Sequence, residues 1–208
     1  MRELLMVNID RNAGYAVEAA AELYVKGKIF AYPTDTIYGF GGDPFNKNCI
    51  NSLNMLKQRA DNKQYILLAG SVESLLCYIE TTEDKEKFVR KIWPNTITAV
   101  FSLRPEYKDK FGADTAAFRI PDNAFCRALL KKINGPLLST SVNRAGAPPM
   151  NSATEIYNEF KNEIDAVFYT NSDSSGAAST IIDLSKDGIE LIREGKIKFD
   201  YLKNMFKS

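Results

Sequence analysis

Hydroxyl, carboxyl and glycine residues follow the first strand-like segment of the sequence. The apolar run KIFAY leads into Pro33, after which Thr34 and Thr36 flank Asp35. Glycines follow at positions 39, 41 and 42, and we expect a polar loop there. Open α/β folds bind ligands at polar, glycine-rich strand ends of this kind. The spacing fits neither the GxGxxG dinucleotide fingerprint nor a Walker P-loop, because no GKS or GKT follows the glycines. On its own the segment favours a ligand site and an ordinary turn equally, since hydroxyl residues also bond the backbone of turns.

Isolated cationic side chains stand near the ends of other segments. Lys57 and Arg59 close a predicted helix in MLKQRADNK, where the helix dipole favours basic residues whether or not they also bind phosphate. Arg119 lies among small apolar residues in DTAAFRIPD, and strand alternation separates it from Phe118 and Ile120. A partly buried guanidinium needs an anion, which is either an acidic side chain of the protein or a carboxylate or phosphate of a ligand. The sequence leaves both partners open.

Three later segments add hydroxyl and glycine donors. GPLLSTSVNRAGAPP follows an apolar strand with Ser139, Thr140, Ser141 and Asn143, which could hold phosphate oxygens and a base or ribose. SDSSGAASTIID places a serine- and glycine-rich loop before another strand, and LIREG brings Arg193 to the end of a further one. Each segment alone is also typical of a plain connector. Together they favour a site for polyanionic and carboxylate-bearing ligands, with nucleotide chemistry as the first hypothesis.

The composition excludes several other chemistries. The chain of 208 residues contains no histidine, so Ser-His-Asp, Cys-His and zinc-protease mechanisms are excluded. Cys49, Cys77 and Cys126 form no CxxC pair, which is typical of reduced thiols in an intracellular protein, and we interpret all three as core or surface residues. The 27 Lys and Arg residues against 26 Asp and Glu residues give a net charge of +1, so any cationic site must be local.

The segments that must position these residues alternate between strand and helix. The apolar runs of strand length are KIFAY, YILLAG, TITAVFSL, AAFRI, PLLSTS, AVFYT, STIIDL and IELIR. Helical stripes of apolar residues lie within 13–24, 50–56 and 125–133. Ser152 and Glu155 form a capping box that opens a helix through Phe160, and KIKFDYLKNMFKS predicts a short C-terminal amphipathic helix. The pattern predicts a single α/β domain over residues 1–208 with a parallel or mixed sheet.

No segment is long enough to cross a membrane. The N-terminal stretch MRELLMVNIDRN contains only the short apolar run LLMV, which is too short for a signal peptide. Later apolar runs fall well below the roughly 20 residues that a transmembrane helix needs. We therefore expect a soluble, cytoplasmic protein.

The motifs above, taken in order, resemble those of the YrdC/TsaC family of threonylcarbamoyl-AMP synthases. They run from YPTDTIYGFGGD through LKQR, PNTITAVF, FRIP, STSVN and STIID to LIREG, across most of the chain. The resemblance implies a twisted α/β fold whose open sheet mixes parallel and antiparallel strands, is flanked by helices and forms a concave basic cavity. It also implies synthesis of threonylcarbamoyl-AMP and pyrophosphate from L-threonine, bicarbonate or CO2, and ATP accompanied by Mg2+. The product would pass to proteins that modify the adenosine beside the anticodon of tRNA.

The resemblance also implies roles for residues that match the family's motifs. The implied threonine-binding residues are Thr34, Arg119 and Ser179. The implied ATP-binding residues are Lys57, Arg59, Thr98, Ser139, Ser141, Asn143 and Arg193, with Lys57 and Arg59 also acting on the reacting phosphates. No residue is implied as a metal ligand. In the implied reaction a carbamate of threonine attacks ATP, which needs no protein nucleophile and is consistent with the absence of histidine.

Several positions depart from the family pattern. Ala60 stands where the family usually has proline after Arg59, Gln64 stands in place of the proline of a later Lys-Pro pair, and Asn95 and Thr96 replace a glycine-proline pair. The length corresponds to the short, single-domain form of the family. The changed positions motivate an alternative hypothesis, a non-catalytic YrdC-like or YciO-like paralogue that binds tRNA or double-stranded RNA. The near-neutral charge favours the enzyme over this alternative.

Overall fold

The computed structural model describes residues 4–58, 65–171 and 176–207. Within these ranges strands and helices alternate along the chain. The strands are β1 (Leu5–Asn8), β2 (Phe30–Tyr32), β3 (Gly39–Gly42), β4 (Ile66–Leu68), β5 (Ile97–Ser102), β6 (Thr115–Arg119), β7 (Leu137–Ser141), β8 (Ala166–Tyr169), β9 (Thr180–Asp183) and β10 (Glu190–Arg193). The helices are α1 (Ala13–Val25), α2 (Lys47–Lys57), α3 (Val72–Leu76), α4 (Glu83–Ile92), α5 (Pro105–Phe111), α6 (Ala124–Ile133), α7 (Ala153–Phe160) and α8 (Phe199–Lys207).

All the strands join one sheet in the order β1-β8-β2-β3-β7-β4-β6-β5-β9-β10. Strand pairs β1–β8, β2–β8, β4–β6 and β5–β9 are parallel, whereas β2–β3, β3–β7, β4–β7, β5–β6 and β9–β10 are antiparallel. The prediction of an α/β fold with an open, mixed sheet flanked by helices is therefore confirmed.

The helices bury the faces that their apolar spacing indicates. α1 and α6 pack together over one part of the sheet with Tyr24, Leu129 and the strand residue Phe168 in a shared core. α8, the predicted C-terminal helix, packs against α4 and buries Leu202. Ser152 caps α7 by accepting the Glu155 N–H, and the helix ends at Phe160 as predicted. Apolar burial of this kind stabilises a helix more than its intrinsic propensity does.

The glycine-rich segment is a strand and not the loop that its composition predicts. Gly41 lies under the rings of Phe30 and Tyr32, and a Cβ there would be 2.9 Å from Phe30 Cε2 and 2.7 Å from Tyr32 Cε1. At Gly42 a Cβ would lie 2.2 Å from Cys49 Sγ. Glycine is needed because neighbouring side chains occupy the space that a side chain would take. β1, whose apolar run is short, was also absent from the predicted strands.

No helix in the described ranges has the length and apolarity needed to cross a lipid bilayer.

Candidate active site

Most of the residues implied in ligand binding line one cavity of about 320 Å³. Its walls include Thr34, Arg119, Ser139, Ser141, Ser179 and Arg193. The sheet register explains this convergence, because Gly39 pairs with Ser141 across β3 and β7, and Leu68 pairs with Arg119 across β4 and β6. Residues far apart in the sequence therefore meet where several strands end.

Arg119 anchors one wall of the cavity through a buried ion pair. Its side chain is 7% exposed and pairs with Asp35, whose side chain is 10% exposed. The Nη1 atom of Arg119 donates to Thr36 Oγ1 at 2.9 Å. The Nε atom is buried and has no hydrogen-bond partner among the described residues. The protein thus supplies the acidic neighbour that the sequence left open, while the buried Nε atom of the same guanidinium makes no hydrogen bond to a described residue.

The hydroxyl of Thr34 is occupied within the protein. It donates to the Ile37 carbonyl at 2.7 Å and accepts the Thr36 N–H at 3.0 Å. It also lies 2.9 Å from Thr36 Oγ1. Because the single Thr34 proton goes to Ile37, Thr36 is the donor in that pair. Thr34 lines the cavity, but its hydroxyl serves to fix Thr36 and, through Thr36, Arg119.

Lys57, Ser141 and Asn143 form a second cluster beside the cavity. Lys57 Nζ donates to the Ser141 carbonyl at 2.8 Å and to Asn143 Oδ1 at 2.5 Å. Ser141 Oγ donates to the same Asn143 oxygen at 2.6 Å, while Asn143 Nδ2 donates to the carbonyls of Arg144 and Ala147, each at 2.8 Å. Lys57 is buried at the end of α2. Asn143 therefore uses its hydrogen bonds to hold the loop after β7 and the Lys57 ammonium. The other member of this motif, Arg59, lies outside the described residues, as do Ala60 and Gln64.

Ser179 and Arg193 form another part of the cavity wall, with Thr98 behind Ser179. Thr98 is fully buried and its Oγ1 lies 2.9 Å from Ser179 Oγ, while Arg193 Nη2 donates to the Ser179 carbonyl at 2.9 Å. Thr98 contacts the cavity through Ser179 and does not itself line it. Asn95 and Thr96 depart from the family pattern, but the backbone beside Ser179 is still hydrogen-bonded, because the Thr96 carbonyl accepts the Thr180 N–H at 3.1 Å.

Two buried groups behind the cavity wall, the Tyr32 hydroxyl and the Cys126 thiol, stay neutral. Tyr32 donates to Ser139 Oγ at 2.9 Å, which leaves the Ser139 proton available to a ligand. Burial raises the pKa of the Tyr32 hydroxyl well above its usual range. Burial, together with the negative charge of Asp35, does the same to the pKa of the Cys126 thiol. Neither group is a nucleophile or a base near neutral pH.

The residues that the structure describes do not form a metal site. They contain no group of three or more His, Cys, Asp and Glu side chains that could hold an ion. Asp35, the carboxylate nearest to the cavity wall at Arg119, is already paired. Divalent cations such as Mg2+ take several oxygen ligands, so a resident ion does not fit these residues.

Comparison with known proteins identifies the family. The family model Sua5/YciO/YrdC, described as telomere recombination, matches residues 22–195. The chain belongs to the Sua5/YciO/YrdC family. The resemblance found in the sequence motifs is thereby confirmed.

Several solved structures share the fold. E. coli YciO superposes with a TM-score of 0.85 at 23% identity, over 95% of this chain and 98% of YciO. P. abyssi Sua5 complexed with L-threonine superposes with a TM-score of 0.87 at 25% identity, over 97% of this chain and 60% of Sua5. Full-length HypF in its phosphate- and nucleotide-bound form gives a TM-score of 0.70 at 18% identity, over 86% of this chain and 29% of HypF. The chain thus spans YciO almost completely, but it spans under two thirds of Sua5.

Two residues that position the site in this family member were not predicted from the sequence. A Cβ at Gly195 would lie 2.4 Å from the Ala178 carbonyl oxygen and 2.5 Å from the Ser179 carbonyl carbon. Arg144 donates to Glu159 and Glu163, each at 2.8 Å, and its guanidinium lies 4.5 Å from the centre of the Phe160 ring. Gly195 permits the close approach of the Ser179 backbone, and Arg144 anchors the loop after Asn143. The glycine in LIREG was a visible signal, whereas nothing in the sequence indicated the partners of Arg144.

Proposed function

We infer that this Sua5/YciO/YrdC-family protein is an L-threonylcarbamoyl-AMP synthase. It forms threonylcarbamoyl-AMP and pyrophosphate from L-threonine, bicarbonate or CO2, and ATP, and its product serves tRNA modification. The observation that carries this proposal is the cavity itself, where the side chain of a buried arginine lines the same space as a set of serine side chains. The threonine in the Sua5 complex and the nucleotide in the HypF structure support a carboxylate-bearing and a phosphate-bearing ligand for this fold.

Arg119 and Ser179 bind the amino acid in this proposal. The Arg119 guanidinium donates charge-assisted hydrogen bonds to the threonine carboxylate, and the Ser179 hydroxyl, held by Thr98, contacts the same substrate. Thr34 contributes through Thr36, which holds the guanidinium. The nitrogen of the substrate amine bonds to the carbon of CO2 and releases a proton to solvent, which gives a carbamate anion.

The nucleotide lies toward Ser139, Ser141 and Arg193. A carbamate oxygen attacks the α-phosphorus of ATP, the bond from that phosphorus to the bridging oxygen breaks, and pyrophosphate leaves with the electron pair. Lys57, held by Asn143, and Arg59 act on the triphosphate charge. Catalysis then rests on alignment of the two substrates and on cationic stabilisation, without a protein nucleophile.

Magnesium enters this proposal only with the nucleotide. Because the described residues offer no ligand set for a resident ion, the ion is held by phosphate oxygens and is part of the Mg-ATP substrate. When bound it neutralises phosphate charge. The proteins that transfer the threonylcarbamoyl group to tRNA are the expected recipients of the product.

Pyrophosphate release tests the proposal. The purified chain should release pyrophosphate from ATP only when both L-threonine and bicarbonate are present.

Arg119→Lys should raise the KM for threonine and leave the KM for ATP nearly unchanged, whereas Arg59→Ala should do the reverse. A charge-assisted contact is worth about 1.5–3 kcal/mol, so each effect should be roughly ten- to a hundredfold. Arg127→Ala is the matched control, because Arg127 forms an exposed ion pair with Asp122. No threonine-dependent release with either Mg2+ or Mn2+ contradicts the proposal.

The second candidate is a non-catalytic, RNA-binding paralogue. It is favoured by the partners that the protein itself supplies, since Arg119 is paired with Asp35 and Lys57 is bonded to Ser141 and Asn143. An RNA-binding protein of this kind binds tRNA or double-stranded RNA with a steep salt dependence and turns over no nucleotide. Binding isotherms at several salt concentrations, measured beside the pyrophosphate assay, separate the two candidates.

A further inference from the structure

Asp35 connects two segments that form the carboxylate-binding wall. One of its oxygens accepts from Arg119 Nη2, and the other accepts the Asp122 N–H at 3.2 Å. Asp35 belongs to the turn between β2 and β3, whereas Asp122 follows β6. The carboxylate therefore fixes this turn against the strand that carries Arg119.

The contacts of Arg119 fix its guanidinium at the wall of the cavity. Nη1 is held by Thr36 and Nη2 by Asp35, while Nε has no partner among the described residues. Each Nη atom carries two N–H donors, so the contacts with Thr36 and Asp35 leave further donors of this cavity-lining side chain for a ligand carboxylate. The two protein contacts restrict rotation of the guanidinium plane, so they determine how it faces the cavity.

We propose that Asp35 is a positioning residue for the amino-acid substrate. It holds the Arg119 guanidinium in the orientation in which this side chain faces the substrate carboxylate. The substrate part of this inference rests on the proposed function, whereas the restraint on Arg119 does not.

The opposite role, in which Asp35 competes with the substrate for Arg119, fits the geometry less well. Asp35 is absent from the residues that line the cavity, although Thr34, Thr36 and Arg119 are present. To release Arg119, Asp35 would also have to leave the Asp122 backbone, because both of its oxygens are engaged. Asp35 therefore supports Arg119 from behind, where a bound carboxylate does not displace it.

Arginine side-chain NMR tests the restraint directly. The Nε–H signal of Arg119, assigned by its loss in Arg119→Lys, should be sharp and protected from solvent exchange in the wild-type chain. Asp35→Asn should broaden this signal and speed its exchange about tenfold or more, and Asp35→Glu should restore it in part. Asp122→Asn is the control, because Asp35 contacts only the backbone of Asp122, whose side chain pairs with Arg127. Backbone amide spectra establish that each variant is folded.

L-Threonine titrations of the same samples complete the test. We expect Asp35→Asn to weaken threonine binding about tenfold, with ATP binding unchanged, and Asp35→Glu to recover part of the loss. An Nε–H signal and a threonine affinity that are both unchanged in Asp35→Asn overturn the inference. Tighter threonine binding in that variant also overturns it and makes Asp35 a competitor. If the wild-type chain binds no threonine while the Nε–H signal still depends on Asp35, the proposed function fails and the positioning role stands. Should Asp35→Asn fail to fold, loss of protection in Asp35→Glu supports the role, and full wild-type protection there overturns it.

Discussion

Two arginines face the same cavity from walls of very different construction. Arg119 lies on an interior strand, is buried and is held by Asp35 and Thr36. Arg193 lies on the edge strand β10, whose residues are all exposed, and it makes one bond to the Ser179 carbonyl. A buried, doubly held guanidinium is fixed before a ligand arrives, whereas an exposed one adapts to its ligand at an entropic cost. The first kind of contact suits selection of a small substrate, and the second suits a flexible triphosphate.

The comparison predicts the largest stability difference at the two arginines themselves. Arg119→Ala removes the buried cation that pairs with the Asp35 carboxylate and should cost about 3–5 kcal/mol of unfolding free energy. Arg193→Ala removes one partly exposed hydrogen bond and should cost about 1 kcal/mol or less. Urea denaturation of both variants measures the difference. Equal losses of unfolding free energy in the two variants would contradict the difference between the buried and the exposed arginine.

A methyl group added at Gly195 should disturb the part of the cavity wall that contains Ser179 and Arg193, because it displaces the backbone there. Gly195→Ala places a Cβ 2.4 Å from the Ala178 carbonyl oxygen, so the backbone at Ser179 must shift. We expect a loss of about 1–3 kcal/mol in stability together with weaker threonine binding. Gly14→Ala is the matched control, because its Cβ would meet its nearest atom at 3.7 Å and alanine favours the helix. A Gly195→Ala chain as stable as the control would contradict the close approach.

The loop after β7 should respond to acid through Glu163. Hydrogen bonds from Arg144 lower the pKa of the Glu163 carboxyl in the folded state. Its stabilising contribution is therefore complete above the unfolded pKa of about 4.3 and is lost as the pH falls through the folded pKa. Because the pair is partly exposed, the effect should be about 1 kcal/mol or less. Thermal melts between pH 6 and pH 3 should show a shallower acid loss in Glu163→Gln than in the wild-type chain, and identical slopes would exclude this coupling.

Thiol labelling tests the part of the cavity wall that contains Arg119, and we expect the smallest effect there. Cys77 is exposed, whereas Cys49 and Cys126 are buried. Burial raises the pKa of Cys49 to about 11 and also raises that of Cys126. A thiol reagent should therefore label Cys77 promptly in the native chain and label the other two only in denaturant. In Arg119→Ala, Cys126 should react faster, since it packs beside Asp35 and Arg119; an unchanged rate there would show that the wall does not depend on the ion pair.

The sequence predicts the strands and helices better than it predicts which of them pair or pack together. Apolar runs such as AAFRI and PLLSTS became strands because their residues can be buried on both faces of a central sheet. β3 was missed because its glycines have no strand propensity, and the strand is stabilised by packing against Phe30 and Tyr32, which composition does not reveal. The order of strands also depends on long-range pairing that local patterns leave open.

The site shows the same limit at the level of single side chains. Arg119 could be singled out as a buried cation that needs an anion, yet its partner Asp35 lies 84 residues away in the sequence. The hydroxyls of Thr34 and Thr98 were visible as candidates, but only coordinates show that they bond Thr36 and Ser179. Residue type indicates what a group can do, and the fold determines whether it acts on a ligand or on another residue.

A crystal structure with L-threonine and a non-hydrolysable ATP analogue tests whether amino acid and nucleotide share this cavity. We expect the threonine carboxylate to lie within hydrogen-bond distance of the Arg119 guanidinium while Asp35 keeps its contact with Nη2, and the triphosphate to lie toward Ser139, Ser141 and Arg193. Threonine bound away from Arg119, or a nucleotide bound outside this cavity, would contradict this expectation.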